Sequence, residues 1–278
     1  MPTPTPRRTP LINVMTKAAF RAARSLIHDF GEVEQLQVSK KGPGDFVSQA
    51  DFRAEKLIRE ELHRARPEFG FLMEEGGEVA GDGEHVWVID PLDGTNNFLH
   101  GLPHFSISIG LKKGDDIVAG VVYDPLRDEL FWAERAIGAY VADRRGLDRR
   151  MRLAGRRHLA DAMVATGLAP RCAADPAKRA RFVEEFEAIT AAGANVRRWG
   201  SAALDLAYVA AGRFDGFWED ELSLWDIAAG VIIVREAGGT VTDITGAASP
   251  IAGRGIIAGN PSVHTAIVKT LRTVRKAA

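Results

Sequence analysis

Two aspartates three positions apart, Asp90 and Asp93, stand in the segment WVIDPLDGTNNF, residues 87–98. An apolar run, Trp87 to Ile89, feeds directly into them, and functional groups concentrate where such strands open into loops. Two ionised carboxylates this close repel each other unless something positive lies between them. No Lys or Arg is near in sequence to do so. A hard divalent cation with oxygen ligands resolves the repulsion, and Mg2+ characteristically takes one or two carboxylates together with water and substrate phosphate. Gly94 permits close backbone approach, and Thr95 begins a short helix whose amides can hold a phosphate. A second reading stays open here: Asp-x-x-Asp-Gly is also a tight-turn pattern in which both aspartates accept backbone amides.

Further acids sit in comparable places. Glu74 and Glu75 follow an apolar strand at 69–73, Asp51 lies just past a turn at 44–48, and Asp226 follows Trp225 at the start of a strongly apolar helix. Taken singly, each also reads as a helix cap or a solvated charge.

The elements needed to hold these groups are legible from periodicity. Apolar residues recur at three and four over 11–30, with Gly31 as a stop, and over 50–66, with Ser48 as the cap and Pro67 beyond. Alternation predicts strands at 85–89, 105–111, 117–123, 129–133 and 139–141, with a turn at Gly114 and Asp115. Strands and helices then alternate: strand 162–166, helix 176–192, strand 196–199, helix 202–211, strand 214–218 and helix 227–237. Strands at 240–243 and 255–258 and a helix at 261–274 complete the chain. The expected organisation is a loose Pro/Thr lead over 1–10 and one domain over 11–275, with lobes at 11–150 and 151–275.

Four blocks resemble those of the inositol monophosphatase family: GDFVSQAD (44–51), FLMEEG (71–76), IDPLDGTNNF (89–98) and the run from 200 to 239 that contains GSAALDLAYVAAG and WDIAAG. They occur in the family order. The resemblance implies an α/β layered fold, an α-β-α-β-α sandwich, and Mg2+-dependent hydrolysis of a small phosphate ester by a metal-activated water. myo-Inositol 1-phosphate is the leading substrate, with fructose 1,6-bisphosphate, histidinol phosphate or an adenosine 3',5'-bisphosphate as alternatives. It further implies that Glu74, Asp90 and the Leu92 carbonyl hold one Mg2+, that Asp90, Asp93 and Asp226 hold a second, and that Glu74 with waters holds a weaker third. Asp51 and Thr95 are implied to orient the attacking water, and the Gly94 and Thr95 amides to bind phosphate. Ala202 is implied to line the sugar pocket and Glu219 to accept substrate hydroxyls; Lys40 lies in a segment that packs over the metals in relatives. Glu75 only supports its neighbour. A homodimer and inhibition by Li+ belong to the same implication. Asn96 departs from a frequent threonine, and Gly76 and Gly77 stand where relatives often carry serine.

Composition narrows the alternatives. With 36 basic and 37 acidic residues the formal net charge is −1, so no long-range field selects a polyanion or a membrane. One cysteine, Cys172, allows no internal disulfide and fits a reducing cytoplasm. Arg7 and Arg8 open no export signal, since Lys17, Arg21 and Arg24 interrupt the next segment, and no run reaches membrane-spanning length. The seven histidines form no zinc pattern, and His100 and His104 are expected to pack or to support the site from behind. The tryptophans are expected in the core. Arginines 144, 145, 149, 150, 152, 156 and 157 crowd the region between the lobes. They read as a solvated turn, with a nucleic-acid or regulatory protein partner as the less favoured account.

Overall fold

The computed structural model describes residues 8–32, 38–42, 45–248 and 255–277. Helix α1 (Pro10–Gly31) starts where Thr9 accepts the Ile12 amide at 3.1 Å and Pro10 occupies the first turn, a position where its missing N–H costs nothing. Ile12, Met15, Ala19, Ala22 and Leu26 form its buried stripe, and each large member contributes about 1.5–3 kcal/mol by leaving water. Met15→Ala would cost about 2–5 kcal/mol. Residues 1–7 of the Pro/Thr lead lie outside the described residues; beyond them Arg8 pairs with Asp148 at 2.9 Å, and Thr9 is the cap. Strands β1 (Val38–Gly42) and β2 (Asp45–Ser48) form a small antiparallel pair. Helix α2 (Gln49–Ala65) follows and packs on α1.

The larger sheet holds β3 (Gly70–Met73), β4 (Gly77–Val79), β5 (His85–Asp93), β6 (Ser106–Lys113), β7 (Asp116–Asp124), β8 (Glu129–Glu134), β9 (Gly138–Ala142) and β10 (Asp148–Arg150), with the short helix α3 (Thr95–Leu99) after β5. Its order is β10-β9-β8-β7-β6-β5-β3-β4, antiparallel except for the β3–β5 pair. The arginine-rich stretch therefore includes an edge strand rather than being only a solvated turn. Backbone pairing of Arg149 with Val141 and Arg150 with Tyr140 overrides its polar composition.

The second sheet has the order β12-β11-β13-β15-β14. It is built from β11 (Met163–Thr166), β12 (Asn195–Arg197), β13 (Gly216–Glu219), β14 (Thr240–Asp243) and β15 (Ile256–Gly259). Helices α4 (Pro170–Ala174), α5 (Pro176–Ala191), α6 (Ala202–Ala210), α7 (Leu224–Glu236) and α8 (Pro261–Ala277) connect and cover these strands.

Among the described residues three cores define the layers. One joins α1 and α2 to the larger sheet, the second encloses α6 and α7 between the two sheets, and the third lies under α5 and α8. This is the α-β-α-β-α sandwich. All of Ala202–Ala210 and all of Ile227–Val234 are buried because these helices meet a sheet on either side, the setting that suits a helix apolar all round.

Candidate active site

The two aspartates of β5 share one face because the strand carries a bulge. Residues three apart in a regular strand point to opposite faces. Here Asp90 pairs with Ser108 and Asp93 with Ser106, three residues spanning what β6 covers in two. Ser106 and Ser108 lie on one face, so Asp90 and Asp93 do as well. Pro91, which cannot donate to a ladder, sits inside the bulge. Leu92 donates its amide to Asp90 Oδ1 at 3.0 Å, which leaves its carbonyl to Thr95 Oγ1 at 3.0 Å. Gly94 then turns the chain with φ 96°, and a Cβ there would stand 3.1 Å from the His104 carbonyl.

Two further acids are placed by helix starts of the same design. Ser48 opens α2 and its amide and hydroxyl donate to Asp51 Oδ2 at 2.8 and 2.7 Å. Ser223 opens α7 and its amide donates to Asp226 Oδ2 at 2.7 Å. Both are capping boxes with aspartate as the third helical residue. Capping and function coincide here, since each box spends one carboxylate oxygen on the helix. For Asp51 the other oxygen, Oδ1, lies 3.1 Å from Thr95 Oγ1. Thr95 has a single hydroxyl proton, so it serves Asp51 or the Leu92 carbonyl at any moment. Burial pushes the Asp51 carboxyl up, against the Ser48 bonds that hold it down. At the other helix, Ser108 Oγ donates to the Trp225 carbonyl at 3.3 Å and fixes the α7 start on β6, beside β5.

Asp93 is the point where the two sheets meet. Its Oδ2 accepts Ser201 Oγ at 2.5 Å and the Ala203 amide at 2.8 Å, both from the start of α6. Burial raises its pKa to about 6 against the pull of these bonds. Asp93, Ala202, Glu219 and Asp226 line a cavity of about 460 Å³, whose rim includes Arg198 and Trp199. Asp90, 2% exposed, lies deeper. Its carboxyl is held well above the usual range by burial and then by Glu74, Asp93 and Asp226, with a hydrogen bond to Glu74.

A family model described as the inositol monophosphatase family matches residues 7–276. The chain belongs to that family. It is 50% identical to a protein of Rhizobium meliloti named inositol-1-monophosphatase, over 95% of this chain and 97% of the relative. It is also 41% identical to the Escherichia coli protein named Nus factor SuhB, over 95% of this chain and 96% of that one. Among solved structures, the extragenic suppressor protein suhB from Bartonella henselae superposes with a TM-score of 0.89 at 50% identity, covering 95% of this chain and 99% of the other.

Members of the inositol monophosphatase family are generally metal-dependent. The residues present fit a hard cation: Glu74, Asp90, Asp93 and Asp226 interact as mutually repelling acids, the donor chemistry that a divalent cation neutralises. Among the described residues no three such side chains already surround a common point.

Of the site residues expected from the sequence, the fold brings Asp51, Glu74, Asp90, Leu92, Asp93, Gly94 and Thr95 to one end of β3 and β5, and Ala202, Glu219 and Asp226 line the adjoining cavity from α6, β13 and α7. Lys40 lies in β1, but its side chain, like Gly44, lies outside the described residues. Trp199 is 40% exposed at the cavity rim, not in the core, whereas Trp87, Trp132 and Trp218 are buried. His104 is buried edge-on to Trp199, and burial followed by Arg127 lowers its pKa to about 4, which makes it a neutral packing group. Ser201 and Asn97 went unmarked in the sequence; Asn97 Nδ2 bonds the carbonyls of His104 and Trp199 at 2.8 Å and closes one wall. Their one signal is that they stand within the IDPLDGTNNF and GSAALDLAYVAAG blocks. Among the described residues no helix is long and apolar enough to cross a membrane.

Proposed function

We propose that this chain is a phosphoric monoester hydrolase that converts myo-inositol 1-phosphate to inositol and phosphate, with two to three Mg2+ per site. The observation that carries the reading is the convergence of Glu74, Asp90, Asp93 and Asp226 beside the Asp51–Thr95 pair at the end of a cavity containing Glu219. The name of the Rhizobium meliloti relative supports the substrate.

Bound between these acids, divalent cations would supply a lowered pKa for water and charge compensation at phosphorus and the leaving oxygen. The protein's share is positional. Glu74, Asp90, the Leu92 carbonyl, Asp93 and Asp226 offer the oxygen ligands. Thr95 Oγ1 takes a proton from the attacking water and passes its own to Asp51 Oδ1, whose raised proton affinity suits a base. Water oxygen joins phosphorus, the P–O bond to the sugar breaks, the leaving alkoxide takes a proton from a solvent water, and Asp51 returns its proton to solvent. Gly94 and Thr95 present amides to phosphate oxygens, Ala202 lines the ring pocket, and Glu219 accepts ring hydroxyls. No covalent enzyme intermediate is needed.

The same reading includes inhibition by Li+, a cytoplasmic location and a homodimer. Phosphate release from inositol 1-phosphate, with and without Mg2+ and beside Asp93→Asn, is the deciding assay. Release that needs both metal and Asp93 supports the proposal; better turnover of fructose 1,6-bisphosphate, histidinol phosphate or an adenosine 3',5'-bisphosphate would replace the substrate and keep the chemistry. A second reading, a regulatory role on the same fold, draws on the Nus factor name of the Escherichia coli relative and on the exposed Arg145, Arg149, Arg150, Arg152 and Arg157. A cellular role that survives Asp93→Asn would favour it.

A further inference from the structure

Helix α2 carries a second buried acid on the face that bears Asp51. Glu55 lies four residues further on, one turn along the same face, and is 6% exposed. Glu55 Oε2 accepts the amide of Glu75 at 2.8 Å. Its other oxygen closes under the same turn, since a Cβ built on Gly76 would stand 2.8 Å from Oε1. Carboxylates are rarely buried without a bonded partner, and a carboxylate on a backbone amide is about twice as strong a bond as a neutral one.

The position of that bond is informative. Strand β3 ends at Met73, and Glu74 keeps a last link to β5 through its amide and the Ile89 carbonyl at 3.2 Å. Beyond it the chain leaves the sheet in a turn. Glu74, the first residue past the strand, thus has the sheet on one side and the Glu55 bond on the other. One rigid helix holds Asp51 at its start and the anchor of the Glu74 turn at its next turn.

We propose that Glu55 is a positioning residue that ties the Glu74 turn to α2, fixes Glu74 relative to Asp51, and so sets the affinity of the site for its divalent cation. The proposal rests on the reading of Glu74 as a metal ligand. The role assigned to Glu55 is to hold the backbone of the turn through its Oε2 rather than to serve as a ligand. Groups that orient ligands in this way typically control metal affinity about 10- to 100-fold.

The test is calorimetric titration of metal-free protein with Mg2+, alongside the Mg2+-induced rise in Tm, for wild type, Glu55→Gln, Glu55→Asp, Glu55→Met and Glu74→Gln. Glu55→Gln keeps an oxygen acceptor at full reach and should hold the Mg2+ Kd within about threefold, whereas Glu55→Asp, too short, and Glu55→Met, without an acceptor, should weaken it about tenfold or more. If both lower the Tm of metal-free protein but leave the Mg2+ Kd at the wild-type value, Glu55 is a structural staple and the proposal is wrong. Loss in Glu55→Gln equal to that in Glu55→Met overturns it too, because charge and not the hydrogen bond would then be at work. Wild-type affinity in Glu74→Gln would sink the metal-site reading itself; weakening there without weakening in Glu55→Asp and Glu55→Met sinks only the positioning role. Should neither of those two variants fold, amide exchange of the wild-type protein decides. Slowing of the Glu75 N–H by Mg2+ supports the tie, and exchange indifferent to Mg2+ rejects it.

Discussion

Ser201 opens helix α6 yet gives its hydroxyl to Asp93, at the end of β5, instead of capping its own helix. The bond joins the two halves of the cavity, because Asp93 belongs to the larger sheet and α6 leads into the second. Ser201→Ala leaves a buried carboxylate oxygen with one partner fewer, at a cost of about 1–3 kcal/mol. Urea unfolding should register that loss. Phosphatase kcat/KM should fall about tenfold, since Asp93 loses its fixed orientation. Unchanged kinetics in a destabilised Ser201→Ala protein would show that the bond serves folding alone.

Asp93→Asn is the more severe change. It halves the charge of the pair on β5 and removes an anionic oxygen from the site, so kcat should fall by about a hundredfold or more, the scale of losing one key electrostatic group. The Mg2+-induced rise in Tm should shrink in parallel, which a fluorescence melt with and without Mg2+ checks independently of turnover.

Asp205 carries a pH signature. It lies on α6, is 1% exposed, and its Oδ1 has no hydrogen-bond partner among the described residues. Burial, then Glu219 and Asp93, hold its carboxyl well above 3.8. The unfolded chain releases this proton near the ordinary value while the folded chain keeps it, so the folded state binds the extra proton in the window above 3.8. Stability must therefore fall as pH rises through that window. Asp205→Asn removes the ionisation and should be more stable than wild type by on the order of 1 kcal/mol at neutral pH, with the difference closing toward pH about 4. Denaturant midpoints across that range measure it, and a gap that widens at low pH would contradict the sign.

How far the sequence led depends on what each position encodes. Periodicity located α1, α2, α6 and α7 within a few residues because each buries a defined apolar face or is apolar throughout. Ser48 was legible as a cap, and the structure makes it the start of a capping box with Asp51. The bulge of β5 was not: the strand was expected to end at 89, and it continues through Pro91 to Asp93 because β6 pairs with it on the far side of the extra residue. Likewise β1, β2, β4 and β10 are short hairpin strands rich in polar residues and glycine, formed by pairing with an adjacent strand, and leave little apolar alternation to read. Asp90 and Asp93 announced themselves by charge crowding, whereas Ser201, Asn97 and Glu55 act through backbone and side-chain bonds that no spacing rule exposes.

Glu219 gives the substrate reading its own test. Its carboxylate, 7% exposed, lines the cavity opposite the acids of β5. If it accepts ring hydroxyls, Glu219→Gln should lower kcat/KM for inositol 1-phosphate about tenfold relative to an aryl phosphate that lacks them, a charge-assisted bond being worth about 1.5–3 kcal/mol. The ratio of the two substrates cancels any loss of folded protein. An unchanged ratio would place ring recognition elsewhere in the cavity.

The arginine-bearing edge separates catalysis from any partner. Strand β10 stands five places from β5 in the sheet order, about 24 Å at ordinary strand spacing. Screened by salt over about 8–10 Å, exposed charges at that range scarcely reach the site. Arg149→Ser with Arg150→Ser should therefore leave kcat/KM for inositol 1-phosphate within about twofold, the limit set by that screening. Exposed basic residues on an edge strand also oppose edge-to-edge pairing between copies. The doubly substituted protein should accordingly associate beyond the wild-type state at high concentration, which light scattering detects. A large drop in turnover with no change in association would mean that the edge communicates with the site through the sheet, and would tie the two proposed roles of this chain together.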